Sequence, residues 1–243
     1  MDNNDLLYKS VNELKKLLSD KEISATELTE LALQRIKETN NKTNAFLYVA
    51  TDTAIEDAKN IDKKIAKGED TGLLGGIPTS IKDLEPVKGM PQTNGSLFYK
   101  DNIADYDQLG VQRIKEAGGI ILGKTNTPEF GLMGHTENLL KDHCRNPWNS
   151  NKTAGGSSGG AGSAVAAGFC SIAMGGDAGG SIRIPSSYNG IFGIKPTQGR
   201  VPNPTSTHNF LSQNGPMTRY VEDAALMLEI ITGFSSEDPS SLN

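Results

Sequence analysis

Little in this chain suits disulfide, metal or membrane chemistry. Its two cysteines, Cys144 and Cys170, make neither a CxxC pair nor a spaced framework, so they read as reduced thiols of a cytoplasmic protein. Histidine occurs three times, at His135, His143 and His208, and no acidic or His-rich cluster surrounds the glycine turns. Nothing in the sequence therefore demands a metal. No Gly-Lys-Ser/Thr completes those turns, so a phosphate loop is excluded and no organic cofactor is called for. No apolar run approaches a membrane span, and the polar, acidic start MDNNDLLYKS does not resemble a signal peptide. Net charge is −5 with both signs interspersed, which argues against a nucleic-acid partner.

What is present is glycine and small residues. The 243 residues hold 27 glycines, and that length suffices for one α/β domain with a real core. Residues 1–71 read as a helical segment packed on the rest. Two capping boxes, Ser10-Val-Asn-Glu13 and Ser24-Ala-Thr-Glu27, open helices whose leucines share a face. Ala45 to Val49 suits a strand, and Asp52 to Lys67 is a charged helix bounded by Gly68.

The core proper, 72–243, alternates strands and helices. Thr79 to Asp83 reads as a short buried strand in which Lys82 is out of place. Lys is depleted in strands and rarely fully buried, so the local sequence favours a surface Lys at a strand end. Asp107 to Ala117 is a helix, Ile120 to Leu122 a parallel strand, and Asn126 to Phe130 a capped helix start. Ser163 to Gly168 is a small-residue helix and Ile172 to Met174 a buried strand. Gly190 to Pro196 suits a strand or turn, and Val221 to Thr232 an amphipathic helix. This alternation predicts an α/β fold with a mixed, mostly parallel sheet.

The chemistry concentrates between Ala154 and Pro185. Two glycine turns there each end on a serine, Gly155-Gly156-Ser157 and Gly179-Gly180-Ser181. Glycine lets backbone N–H groups converge on a ligand or charge, and a hydroxyl beside such donors points to acyl transfer. A serine needs a partner to take its proton. Gly155 to Gly159 fits the G-x-S-x-G elbow pattern, but Asn149 to Thr153 makes a poor strand before it, and only His208 lies downstream as a base. The other helper is a lysine kept neutral by burial.

Three blocks together resemble the amidase signature family. They are Gly76-Ile-Pro-Thr-Ser-Ile-Lys82-Asp83, the Gly155–Gly160 turn, and Gly176-Asp177-Ala178-Gly179-Gly180-Ser181-Ile-Arg183-Ile-Pro185. Supporting blocks follow in the same order, including Gly118–Asn126, Thr136-Glu137-Asn138, Arg145–Trp148 and Gly193–Arg200. The resemblance implies an α/β/α sandwich, an amide hydrolase and a small-molecule amide substrate. It assigns Ser181 as nucleophile, Ser157, after a cis peptide bond, as bridging serine, and Lys82 as base. It places the oxyanion hole on the backbone N–H groups of Ala178, Gly179, Gly180 and Ser181. Ser158, Asp177 and Arg183 become supporting residues, and a homodimer is the assembly it suggests.

Ala154 stands where Pro is common, and Gly134-His135 where small or hydroxyl residues are common. Family members are much longer, which implies a further segment that finishes the sheet and lines the pocket. The glutamine-hydrolysing subunit of a tRNA-dependent amidotransferase is an alternative within the family. The Phe130–Leu140 block looks more like the stand-alone amidases. A truncated, non-catalytic relative is the remaining reading.

Overall fold

The computed structural model describes residues 3–204 and 211–242; His208 lies outside the described residues. A short helix, α1 (Asn3–Leu6), precedes α2 (Val11–Ser19) and α3 (Ala25–Thr43). Both capping boxes form: Ser10 and Ser24 each accept the N–H of the glutamate three residues on, which reaches back to the serine N–H. Val11, Leu14 and Leu18 of α2 and Leu28, Ala32 and Ile36 of α3 fall on buried faces. Asn44 ends α3 in the left-handed conformation and turns the chain into β1 (Phe46–Val49). The helix α4 (Thr51–Lys67) then closes on Gly68, whose φ of 70° suits glycine.

The central sheet has six strands in the order β1-β3-β2-β6-β8-β7. Its middle is β2 (Pro78–Lys82), β3 (Ile120–Thr125) and β6 (Ile172–Asp177), all parallel and buried along their length. Parallel strands are covered on both faces, here by helices, and even the polar Thr79, Ser80 and Lys82 of β2 are buried. On the flanks, β1 and β8 (Gln213–Thr218) run antiparallel to their neighbours, and β7 (Phe192–Gly193) is antiparallel to β8. The α5 helix (Leu109–Glu116) crosses from β2 to β3, and α8 (Val221–Ile231) packs beside it.

Between β3 and β6 lie a hairpin, the partly buried β4 (Arg145–Asn146) with the exposed β5 (Asn149–Thr153), and the wholly buried helix α6 (Gly159–Ala166). After β6 comes α7 (Arg183–Asn189). The small residues of α6 have a steric reason. A Cβ at Gly160 would overlap the backbone of Asn126 and Ala45, where α6 lies against the ends of β3 and β1.

Several expectations need correction. Asn149–Thr153 is a strand, because Arg145 and Asn146 pair with it, although its side chains stay exposed. The proposed helix start at Asn126–Phe130 is only a 3-10 turn, Glu129–Gly131, in which Phe130 takes a φ of 51° that ends propagation. Gln213–Thr218, with its Gly, Pro and amide residues, carries no strand pattern, yet it forms a fully buried strand on the edge of β6. Lys82 is not a surface residue but is 1% exposed.

Gly160→Ala should lower unfolding free energy by at least about 2 kcal/mol, since backbone cannot yield to the added methyl as a side chain would. Urea denaturation checks this; an unchanged midpoint would contradict the close approach.

Candidate active site

Lys82, Thr125 and Asp177 end the three parallel strands at one edge of the sheet. In open α/β sheets that carboxyl-terminal edge is where ligands are bound. Both glycine turns are delivered there, one entering α6 and one leaving β6.

Lys82 Nζ lies 2.6 Å from Ser157 Oγ, with Gly176 O at 3.5 Å. Both side chains are buried, Ser157 to 2% exposure. Burial pushes the Lys82 ammonium down to about 7, against the opposing pull of Glu85 and Asp177. A large part of this lysine is therefore neutral near neutral pH, and able to accept a proton from the hydroxyl beside it. The Gly156–Ser157 peptide bond is cis.

The turn carrying Ser157 is held from both sides. Thr136 Oγ1 donates to Gly155 O at 2.9 Å and accepts from Gly159 N at 3.2 Å. Ser158 Oγ donates to Gly176 O and accepts from Gly176 N, each at 3.2 Å, stitching the turn to β6. Ser158 N donates to Ser181 O at 3.1 Å, so the two serine-bearing turns are joined directly. Backbone of His135 packs on Gly156, where a Cβ would stand 2.7 Å from it, and a Cβ at Gly131 would stand 3.3 Å from Ser157 Oγ.

Asp177 organises the second turn. Its carboxylate accepts from Gly180 N at 2.6 Å, Ile182 N at 3.1 Å and Arg183 N at 3.3 Å. Arg183 adds a two-pronged contact, Nε at 2.9 Å and Nη2 at 3.0 Å. Burial would raise this carboxyl, but the Arg183 fork and the three backbone donors outweigh it and hold it at about 2. Of the four backbone groups assigned to an oxyanion hole, Gly180 is the exception: its N–H is taken by Asp177. Those of Ala178, Gly179 and Ser181 make no hydrogen bond among the described residues. Ser181 is half-buried and Gly179 exposed, so this edge of the turn is open.

A second buried lysine escaped the residue-level reading. Lys124, fully buried at the end of β3, donates to Glu85 O at 2.7 Å and Pro91 O at 3.1 Å, and lies 3.6 Å from Asp83 Oδ1. Asp83 in turn accepts from Thr93 Oγ1 and from Thr93 N at 3.1 Å. This network fastens the loop after Lys82. Glu85 was also missed, since nothing in its sequence separates it from a solvated loop acid. The only signal for Lys124 was a charge after Gly123 in an otherwise apolar strand.

Neither described histidine, His135 or His143, is a hydrogen-bond partner of Lys82. His135 Nε2 and His143 Nδ1 both meet Glu137, at 3.3 and 2.7 Å, on exposed side chains. Among the described residues no three His, Cys, Asp or Glu side chains converge as a metal site requires.

A buried lysine–serine pair at the carboxyl ends of parallel strands, flanked by two joined glycine turns, defines a class of α/β enzyme-like folds. Within it, the chain belongs to the amidase family, whose model matches residues 27–243. The A-type subunit of glutamyl-tRNA(Gln) amidotransferase from Clostridium botulinum (strain Alaska E43 / Type E3) is 44% identical over 238 residues, covering 97% of this chain and 49% of that protein. Its counterpart from Gloeothece citriformis (strain PCC 7424) is 43% identical over 236 residues, with 96% and 49% covered. A bacterial aryl acylamidase of the amidase signature family superimposes with a TM-score of 0.92 at 37% identity, covering 97% of this chain and 50% of that one. For 6-aminohexanoate cyclic dimer hydrolase the TM-score is 0.90 at 34% identity, with 98% and 49% covered. The chain thus spans about half the length of these relatives.

Because the folded pKa of Asp177 is depressed, its contribution to stability is present above the unfolded carboxyl pKa and lost as pH falls through about 2. Asp177→Asn should therefore cost about 2 kcal/mol at pH 7, with the gap to wild type narrowing below pH 4. Urea unfolding at pH 7 and at pH 3 checks this; a pH-independent gap would refute the ionic role.

Proposed function

We propose that the chain carries the acyl-transfer centre of an amide hydrolase, with Ser181 as nucleophile, Ser157 as proton relay and Lys82 as base. The observation that carries the reading is the 2.6 Å contact between Ser157 Oγ and a buried Lys82 held near neutrality. Ser181 Oγ attacks the amide carbon and its proton passes to Ser157, whose own proton passes to Lys82 Nζ. The tetrahedral oxyanion is received by the N–H groups of Ala178, Gly179 and Ser181, while Asp177 keeps Gly180 and hence the turn in place. The C–N bond then breaks, the departing nitrogen taking back a proton along the same relay. Water resolves the acyl-Ser181 ester to the carboxylic acid. Every step moves protons and electron pairs only, among Ser181 and Ser157 on the two joined turns, Lys82 at the end of β2, and water.

A small carboxamide is the substrate class this supports, and the aryl acylamidase likeness favours a stand-alone amidase. The second reading, glutamine hydrolysis for a tRNA-dependent amidotransferase, is favoured by the identity to the amidotransferase subunits. Glutaminase assays beside anilide assays separate the two. No helix among the described residues is long and apolar enough to cross a membrane. The free, buried Cys144 and Cys170 suit the reducing cytoplasm where we place the protein.

Intact mass after exposure to a fluorophosphonate should show one adduct on wild type and none on Ser181→Ala. Lys82→Ala should label at least about 100-fold more slowly, because the relay acts as a unit. Labelling of Ser181→Ala at the wild-type rate would sink the assignment. The labelling rate should also rise with pH through about 7 and then level, since only neutral Lys82 accepts a proton. A rate undiminished well below that pH contradicts a lysine base.

A further inference from the structure

Glu85 lies three residues beyond Lys82, and its N–H closes a turn on Lys82 O at 3.0 Å. That turn folds the acid back toward the lysine instead of letting it run out to solvent. Glu85 is only 7% exposed. Gly176 is the point where the two side chains converge: its carbonyl lies 3.5 Å from Lys82 Nζ. A Cβ added at its Cα would stand 3.8 Å from Glu85 Oε1 and 3.1 Å from Asn214 Oδ1. Asn214, directly across from Gly176 in the β6–β8 register, is fully buried, and its amide has no well-aligned hydrogen bond. It lies beside the Glu85 carboxyl. From β3, Lys124 Nζ grips the Glu85 main-chain carbonyl and fixes the loop.

We infer that Glu85 is a positioning residue for Lys82, a buried carboxylate whose charge sets how readily the amine takes up the proton relayed through Ser157. The inference rests on Lys82 being the base of the proposed reaction. The groups facing Lys82 are Ser157 from the turn before α6, Gly176 O and Asp177 from β6, and Glu85 from its own loop. Those facing Glu85 are Lys82, Lys124 from β3, Asn214 from β8 and the Tyr106 hydroxyl before α5. Burial raises the Glu85 carboxyl, with Asn214 and the two lysines opposing. Asp177 is neutralised by Arg183 and Lys124 sits against Asp83, so Glu85 is the carboxylate left facing Lys82 without a cation of its own among the described residues.

The sign follows. An ionised Glu85 favours the lysine cation and holds its titration near neutrality, where unopposed burial would carry it lower. This keeps Lys82 able both to accept the relayed proton and to hold it until the leaving nitrogen needs it. A lysine made too weak a base by burial alone would do neither well.

The test is an NMR titration of Lys82 in protein labelled with 15N at lysine Nζ, the signal assigned with Lys82→Arg. In Glu85→Gln, an isostere without charge, the Lys82 midpoint should fall by about one pH unit, and Glu85→Asp should restore most of the shift. An unmoved midpoint in folded Glu85→Gln overturns the inference. Should that variant not fold, wild type alone decides: the Lys82 resonance should show a second inflection as Glu85 titrates, and a single-step curve overturns the role. The titration needs no turnover. Absent fluorophosphonate labelling with the shift intact would defeat the amide-hydrolysis reading alone, and normal labelling with no shift would defeat the Glu85 role alone.

Discussion

A lysine amine buried beside a serine hydroxyl is the constraint around which this structure is arranged. An ammonium placed in the interior costs several kcal/mol unless it is paired or gives up its proton. Among the described residues Lys82 has no carboxylate within ion-pair distance, in contrast to Lys124, which lies against Asp83. Two buried lysines at the ends of adjacent parallel strands are thus handled differently. Lys124 fastens a loop with its charge; Lys82 has its charge weakened by burial and is left facing Ser157.

The sheet and the two glycine turns follow from holding that contact. Parallel strands β2 and β6 bring Lys82 and Asp177 to one edge, and the fully buried α6, thinned to small residues, lets the Ser157 turn approach them. Ser158 joins that turn to Gly176 and to the Ser181 carbonyl, so a shift in one serine-bearing turn is carried to the other. Asp177 does for the Ser181 turn what Thr136 does for the Ser157 turn. Each spends a polar side chain on backbone donors that would otherwise be unsatisfied in the interior.

Much of this was legible in the sequence where local chemistry is decisive. Ser10 and Ser24 announce their helices because a capping box is a short-range device, and Gly68 marks a helix end for the same reason. The Gly155–Ser158 and Gly179–Ser181 turns stand out by composition. Lys82 does not: its burial depends on strands and loops far along the chain, and only the resemblance of its motif set it apart from a surface lysine. Gln213–Thr218 was unreadable, as its strand character comes from pairing with β6 and not from its own Asn, Gly and Pro. Glu85 was unreadable because a turn of the backbone, not its sequence context, folds it inward. The diversion of the Gly180 N–H is likewise a matter of where the Asp177 carboxylate sits.

A crystal structure of the chain after reaction with a fluorophosphonate should show phosphorus bonded to Ser181 Oγ and the phosphonyl oxygen received by the N–H groups of Ala178, Gly179 and Ser181. Ser157 Oγ would lie between the modified serine and Lys82 Nζ. An adduct on Ser157 or on another residue, or a phosphonyl oxygen turned away from that backbone, would contradict the roles given to Ser181 and its turn.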